Sequence, residues 1–203
     1  MDVVCLDLEG VLIPEIWIEF AQVTGIEALK KTTRDVADYD ELMRFRLDLL
    51  RQHKLGLPEI ESVIQTMAPL DGAADFLDSL RERYQVVILS DTFYEFSRPL
   101  MAQLNWPTLF CHHLIVEAGG EVSGFQMRQP EPKNSAVAAL QSLNFTVIAA
   151  GDSYNDTAML AQADHGFLFR SPANVIAEFP QYRHTRDFDE LRGFIDGVSR
   201  RAG

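Results

Sequence analysis

The stretch LDLEGV (residues 6–11) ends an apolar run, VVCL (3–6), with two acids and a glycine. A short continuous apolar run is typical of a strand that is buried on both faces of a parallel sheet. Asp7 and Glu9 then stand where the strand would end. Taken alone, these residues also fit an ordinary turn, because Asp and Gly are common turn residues. Whether these residues form only a turn or part of a functional site depends on the rest of the sequence.

Three more apolar runs resemble the first, and helical patterns separate them. The four predicted strands are VVCLDL (3–8), QVVILS (85–90), TVIAAG (146–151) and HGFLFR (165–170). The clearest helices between them are AADFLDSLRER (73–83) and KNSAVAALQSL (133–143). This alternation predicts an α/β fold built on a doubly wound parallel sheet. A further segment, 112–128, alternates in polarity around two central glycines, which predicts a β-hairpin.

A helical insertion interrupts the alternation after the first strand. Its three amphipathic patterns are IWIEFAQVTG, DYDELMRFRLDLLRQH and PEIESVIQTM. We predict an α/β core formed by residues 1–13 and 71–203, and a helical cap over 14–70 that acts as a substrate lid. The last five residues, 199–203, are expected to be a frayed helix end.

Charge limits the partners of the chain. The 203 residues carry a formal net charge of −12, which disfavours binding to nucleic acid and to anionic membranes. An enzyme acting on phosphates would therefore need a local cation, either a metal ion or placed Lys and Arg residues. Cys5 and Cys111 lie in apolar surroundings and are expected to be reduced, buried thiols. With no export signal and no long apolar run, this predicts a cytoplasmic protein.

Acids and small hydroxyl side chains follow three of the predicted strands. They occupy residues 7–10, 90–92 and 151–156. Because ligands bind at the carboxyl ends of the strands in a doubly wound sheet, these segments should meet at one edge. Several carboxylates in one cleft cannot all remain ionised without a cation, and an all-oxygen ligand set favours Mg²⁺. The four acids expected to converge are Asp7, Glu9, Asp152 and Asp156.

Three other polar features have a functional and a structural interpretation each. Lys133 heads a helix, where its charge is unfavourable unless it faces an anion; the alternative is a solvated lysine. Ser90 fits a phosphate contact near a helix N-terminus, or an N-cap for a helix from Thr92 or Phe93. The pair His112–His113 has no zinc-ligand spacing and is expected to lie on the surface.

In order, the motifs DLEG, SDT, a lysine and GDSYND resemble those of the haloacid dehalogenase-like phosphohydrolases. The resemblance covers the whole chain and implies catalysis through an aspartyl-phosphate on Asp7. It implies that Glu9 serves as general acid and base, and that Mg²⁺ is held by Asp7, Asp152 and the backbone carbonyl of residue 9. The residues implied around the phosphate and metal are Ser90, Asp91, Lys133, Asn155 and Asp156.

Within the superfamily, the size of the cap resembles that of the phosphoserine phosphatases. Arg46 lies on an apolar helical row, so it could clamp an α-carboxylate or simply extend along a packed face. Glu15 matches the family's glutamate for the α-ammonium group, although a first-turn helix acid is the alternative. Tyr39 stands where the family has an aromatic wall.

The chain departs from the usual phosphoserine phosphatase pattern at Glu9, at SDTF (90–93) and at Ser153. These departures resemble a bifunctional type known from pseudomonads, which hydrolyses phosphoserine and also transfers its phosphoryl group to homoserine. The expected partners are therefore phosphoserine, homoserine and water, while a homodimer is left open. One alternative is a phosphatase for another small phosphomonoester. A second alternative is a catalytically silent module that binds a phosphorylated ligand without turning it over.

Overall fold

The structure is a computed structural model that describes residues 1–33, 35–36 and 38–199. Its strands are β1 (Asp2–Leu6), β2 (Gln85–Phe93), β3 (Thr108–Val116), β4 (Val122–Gln126), β5 (Thr146–Gly151), β6 (His165–Phe169) and β7 (Arg183–Thr185). Its α-helices are α1 (Ile16–Thr24), α2 (Tyr39–His53), α3 (Leu57–Ile64), α4 (Ala73–Arg81), α5 (Tyr94–Gln103), α6 (Pro132–Ser142), α7 (Thr157–Gln162), α8 (Ala173–Glu178) and α9 (Phe188–Val198). Two 3₁₀ turns, Glu27–Lys30 and Tyr154–Asp156, complete these elements.

The strands form one seven-stranded sheet in the order β4-β3-β2-β1-β5-β6-β7. Every neighbouring pair is parallel except β3 and β4, which form the predicted antiparallel hairpin. The chain proceeds from β1 to one side through β2, then crosses to the other side at β5. The prediction of a doubly wound α/β fold is confirmed, and the strand order reverses between β1 and β5.

Alternate residues of the central strands supply two apolar clusters, one on each face of the sheet. On β1, Val3 and Cys5 belong to a cluster with α6 and α7, whereas Val4 and Leu6 belong to the cluster that includes α4, α5 and α9. Helices α1 to α3 add apolar residues to the cluster that contains Val4 and Leu6. Both faces are thus covered, as the continuous apolar strands require.

Some boundaries differ from the sequence-based expectations. Strand β2 continues beyond Ser90 to Phe93, with an irregular register against β3, so α5 begins only at Tyr94. The three-residue strand β7 was not predicted, because so short a segment carries no period. Of the expected frayed end, only Ser199 lies among the described residues, and its hydroxyl donates to Asp2 Oδ2 (2.6 Å).

The helical insertion contacts the β3–β4 hairpin, and the contact joins the start of α3 to the hairpin turn. The backbone N–H of Leu57 donates to the carbonyl of Gly120 at the hairpin turn (2.8 Å). Gly120 has φ +87°, and a Cβ atom on Gly56 would lie 2.4 Å from the Gly120 oxygen. The contact therefore depends on two residues without side chains.

Both cysteines are buried and free, as expected, and burial raises the pKa of the Cys5 thiol to about 12. Within the described residues, no helix is both long enough and apolar enough to span a bilayer.

Candidate active site

A pocket lies at the carboxyl ends of β1, β2 and β5, where the strand order reverses. Among the described residues, its lining contains five acids and two cations, Arg46 and Lys133. The lining residues are Asp7, Glu9, Glu15, Trp17, Thr32, Thr33, Tyr39, Leu42, Arg46, Ser90, Asp91, Lys133, Asp152, Ser153 and Asn155. The structure thus brings every sequence-predicted site residue to this pocket except Asp156, which lies behind it.

Three carboxylates form a compact buried group. Asp7 follows β1, while Asp152 and Asp156 follow β5, and one oxygen of each lies within 4.8 Å of the others. A Cβ atom on Gly10 would lie 2.6 Å from the Asp152 carboxylate, and one on Gly151 would lie 2.4 Å from that of Asp156. The glycine in LDLEGV is required because an acid packs directly against its backbone.

Lys133 enters this group from the first turn of α6. Its nitrogen lies 2.9 Å from Asp7 Oδ1, 2.7 Å from Asp156 Oδ1 and 3.6 Å from Asp91 Oδ2. Burial alone would lower the pKa of this lysine, but the three acids raise it well above its usual value. Lys133 is therefore a buried cation that faces anions, and the alternative of a solvated lysine is wrong.

The charge on Asp7 is only partly balanced. Burial raises its pKa well above the usual range, and Asp156 adds to the rise, while Lys133 opposes it. Asp156 is held in place because its Oδ2 accepts from the backbone N–H groups of Asp152 and Ser153 (2.9 and 3.1 Å). The excess of negative charge and the all-oxygen donor set fit a hard divalent cation.

Glu9 reaches from the core to the start of the insertion. Its Oε2 accepts from the backbone N–H of Ile16, the first residue of α1 (2.9 Å). Burial, followed by the charge of nearby Glu15, raises the pKa of Glu9 to about 8. A carboxyl group with such a pKa can give a proton near neutral pH and take one back.

Asp91 is bonded to residues from several segments of the chain. Its Oδ2 accepts from Asn155 Nδ2 (2.9 Å), and its backbone carbonyl accepts from the Tyr39 hydroxyl of α2 (2.5 Å). Its Oδ1 faces His112 Nε2 at 3.4 Å. Burial would raise the pKa of Asp91, but Lys133, His112 and Asn155 outweigh it and hold the pKa below its usual value.

The expectation that His112 and His113 form a surface pair is wrong for His112. Its side chain is fully buried, whereas that of His113 is 58% exposed and pairs with Glu95. The alternation of β3 places the two rings on opposite faces of the strand. Leu114, two residues further along the strand, shares the inward face with His112.

Ser90 is buried at the irregular part of β2. Its Oγ accepts from the backbone N–H of Thr92 (3.2 Å), so the hydroxyl proton remains available toward the pocket. This contact resembles an N-cap, but α5 begins at Tyr94 and not at Thr92 or Phe93, as the capping alternative required.

Arg46 and Glu15 approach the pocket from the insertion. The Arg46 guanidinium stacks over the Trp17 ring (4.8 Å to its centre), and Nη2 donates to the carbonyl of Lys31 (2.9 Å). Its buried Nε has no hydrogen-bond partner among the described residues. Glu15 precedes α1, and its side chain caps no backbone N–H there.

Several lining residues escaped the sequence analysis. Trp17, Thr32 and Thr33 belong to the insertion and reach the pocket only because of how it folds over the sheet. Ser153 was noted only as a departure from a pattern, yet its hydroxyl donates to Asn155 Oδ1 (2.5 Å). Trp17 lies in an amphipathic helix pattern that does not distinguish it as a pocket residue, and no motif marks Thr32 or Thr33.

Comparison with known proteins places the chain among hydrolases. The profile of the haloacid dehalogenase-like hydrolase family matches residues 1–164. A phosphoserine phosphatase of Pseudomonas syringae pv. tomato is 59% identical over 192 residues, which are 95% of this chain and 81% of that protein. The phosphoserine phosphatase ThrH of Pseudomonas aeruginosa is 58% identical over 201 residues, 98% of each chain. A solved substrate-bound phosphoserine phosphatase shares the fold, with a TM-score of 0.81 at 21% identity over 95% of this chain and 97% of that one.

Proposed function

Because the chain belongs to the haloacid dehalogenase-like hydrolases, we propose that it is a Mg²⁺-dependent phosphoserine phosphatase that also transfers phosphoryl groups to homoserine. The observation that carries the proposal is one pocket with two kinds of lining. Its floor holds the carboxylate and lysine groups suited to phosphoryl chemistry, while Arg46 and Glu15 from the insertion face it. A phosphorylated amino acid has complementary groups at both ends. The two pseudomonad phosphatases support the substrate by their near full-length identity.

The first step forms a covalent intermediate. A carboxylate oxygen of Asp7 bonds to phosphorus as the bond from phosphorus to the serine oxygen breaks. Glu9 gives its proton to that leaving oxygen, which the raised pKa of Glu9 favours. Lys133 lies close enough to Asp7 to hold its charge and to bind a phosphate oxygen.

The second step releases the phosphoryl group from Asp7. Glu9, now ionised, takes the proton from an incoming hydroxyl whose oxygen bonds to phosphorus, and the Asp7 carboxylate leaves. Water as acceptor yields inorganic phosphate, whereas homoserine yields phosphohomoserine. Homoserine is one methylene longer than serine, a difference worth about 1–3 kcal/mol in a pocket, so a site for one can admit the other.

The donor set of the buried acids fits Mg²⁺. Asp7, Asp152 and the backbone carbonyl of Glu9 would hold the ion, with Asp156 and Asn155 supporting the shell. When bound, the ion neutralises charge between the phosphate and Asp7. We further infer that residues 14–70 act as a cap, because Tyr39 and Arg46 reach the pocket from that segment.

One reaction mixture tests the proposal. Protein, Mg²⁺, phosphoserine and homoserine are followed by phosphorus NMR, with Asp7→Asn as the inactive variant and the exposed Asp189→Asn as its matched control. We expect inorganic phosphate and phosphohomoserine with the wild type and the control, and neither with Asp7→Asn. Inorganic phosphate as the sole product would show that the protein does not transfer the phosphoryl group to homoserine. An unchanged phosphoserine signal would overturn the substrate and direct attention to other phosphomonoesters.

A further inference from the structure

His112 is a buried polar side chain among aromatic rings. Its ring lies 6.1 Å from the rings of Tyr39 and Phe93, centre to centre, and its side chain has no exposed surface. A buried imidazole in such surroundings is costly unless its nitrogens are hydrogen-bonded. Both nitrogens of His112 have partners, and each partner belongs to a different segment of the chain.

The two partners fix the tautomer of His112. The backbone N–H of Arg128 points at Nδ1 (3.2 Å), and because an amide N–H can only donate, Nδ1 must be the acceptor. In the neutral ring the proton is then on Nε2, which faces Asp91 Oδ1 at 3.4 Å. His112 therefore serves as a donor to Asp91.

Asp91 connects His112 to two residues that line the pocket. Its other oxygen accepts from Asn155 Nδ2 (2.9 Å) and lies 3.6 Å from Lys133 Nζ. Because His112 holds Oδ1, the plane of the carboxylate is fixed. Oδ2 then has a defined position relative to its two donors, Asn155 and Lys133. A carboxylate free to rotate would let Lys133 move toward Asp156 and Asp7 alone.

We propose that His112 is a positioning residue that acts through Asp91 to hold Lys133 and Asn155 where they bind the transferring phosphoryl group. The proposal rests on the proposed phosphoryl chemistry of the site, but it assigns a role to a residue outside the described lining of the pocket. It also gives a reason for an acid at position 91, since only an acceptor there can join His112 to both donors.

The competing explanation is purely structural, because the bond to Arg128 could anchor the segment after β4. Two variants separate the roles. In His112→Gln, the amide nitrogen takes the place of Nε2 and still donates to Asp91, but the acceptor for Arg128 is lost. In His112→Asn, the shorter side chain keeps an acceptor near Nδ1 and no longer reaches Asp91. His113→Asn on the exposed face of the same strand is the matched control.

We expect kcat for phosphoserine and the affinity for inorganic phosphate in the presence of Mg²⁺ to fall about 10- to 100-fold in His112→Asn. In His112→Gln the loss should be about threefold or less, and His113→Asn should match the wild type. In an Asp91→Asn background, His112→Asn should cause no further loss, because the connection is already broken. Thermal unfolding of each variant shows whether it is folded.

The reverse order, with His112→Asn active and His112→Gln impaired, would overturn the proposal, as would additive losses in the double variant. If His112→Asn does not fold, His112→Gln decides alone: retained phosphate affinity supports the role and a large loss overturns it. Phosphate affinity also keeps the test separate from the substrate assignment. A wild type that binds phosphate but ignores phosphoserine would contradict the proposed substrate, while the order of the His112 variants could still be measured.

Discussion

Lys133 places its ammonium nitrogen 2.9 Å from Oδ1 of Asp7, joining the first turn of α6 to the end of β1. The contact neutralises one of three buried carboxylates that share the same small space. As the proposed nucleophile, Asp7 must be ionised although burial raises its pKa, so we propose that Lys133 acts together with a bound cation. The first prediction concerns that cation.

Mg²⁺ should raise the melting temperature of the wild type, and Asp152→Asn should abolish the rise. A ligand present at 100 times its dissociation constant stabilises a fold by about 2.7 kcal/mol, which calorimetry detects readily. Asp189→Asn, whose side chain is 84% exposed, is the control and should respond like the wild type. An undiminished response in Asp152→Asn would show that the ion binds elsewhere.

Arg46 should be needed for the α-carboxylate of the substrate and not for the phosphate. Arg46→Lys keeps the charge but loses the planar fork, so KM for phosphoserine should rise about 10- to 100-fold. Phosphoethanolamine, which is phosphoserine without its carboxylate, should be hydrolysed by variant and wild type at similar rates. Arg44→Lys, exposed on the same helix, serves as control. Equal losses on both substrates would indicate that Arg46 only supports the packing of Trp17.

Glu9 should make the metal-free fold less stable as the pH rises. Its pKa is 4.5 as an unperturbed group and about 8 in the fold. Between these values the unfolded chain has lost the proton that the folded chain retains, so rising pH favours unfolding. The free energy of unfolding of the wild type should therefore fall relative to that of Glu9→Gln from about pH 5 to pH 8. Urea titrations measure it, with exposed Glu27→Gln as control; a constant difference would contradict the prediction.

The contact between the insertion and the hairpin should be sensitive to one methyl group. In Gly120→Ala, a Cβ atom would lie 3.0 Å from Pro58 on a backbone with φ +87°. The free energy of unfolding should therefore fall by about 1–2 kcal/mol. The amide of Leu57, which bonds to the Gly120 carbonyl, should exchange with deuterium faster. In Gly119→Ala, the added Cβ has no atom within 4 Å, so the free energy of unfolding and the exchange of the Leu57 amide should both stay unchanged. Unaltered exchange at Leu57 in Gly120→Ala would mean that the contact adapts.

The sequence was most informative where a physical rule links local pattern to global position. Apolar runs separated by helical patterns predicted the doubly wound sheet, and the rule that ligands bind at carboxyl strand ends predicted that residues 7–10, 90–92 and 151–156 meet at one edge of it. Lys133 was distinguished by its unfavourable place at a helix start, which the buried acids around it explain.

Features that depend on tertiary partners could not be predicted in this way. The burial of His112 follows from the acceptor that Asp91 offers and from the donor of Arg128, and those residues meet only in the fold. Trp17 and Thr33 reach the pocket because the insertion folds over the sheet. Strand β2 passes Ser90 because its end is irregular against β3, which leaves no mark in the hydrophobic pattern.

The crowding of Asp7, Asp152 and Asp156 sets activity against stability. Like charges buried within 4.8 Å of one another repel, and the ion pairs that Lys133 makes with Asp7 and Asp156 offset only part of that repulsion. The proposed reaction therefore gives these acids a reason that the packing of the fold alone does not supply. In a descendant released from its chemistry, these three positions should drift before the apolar core does.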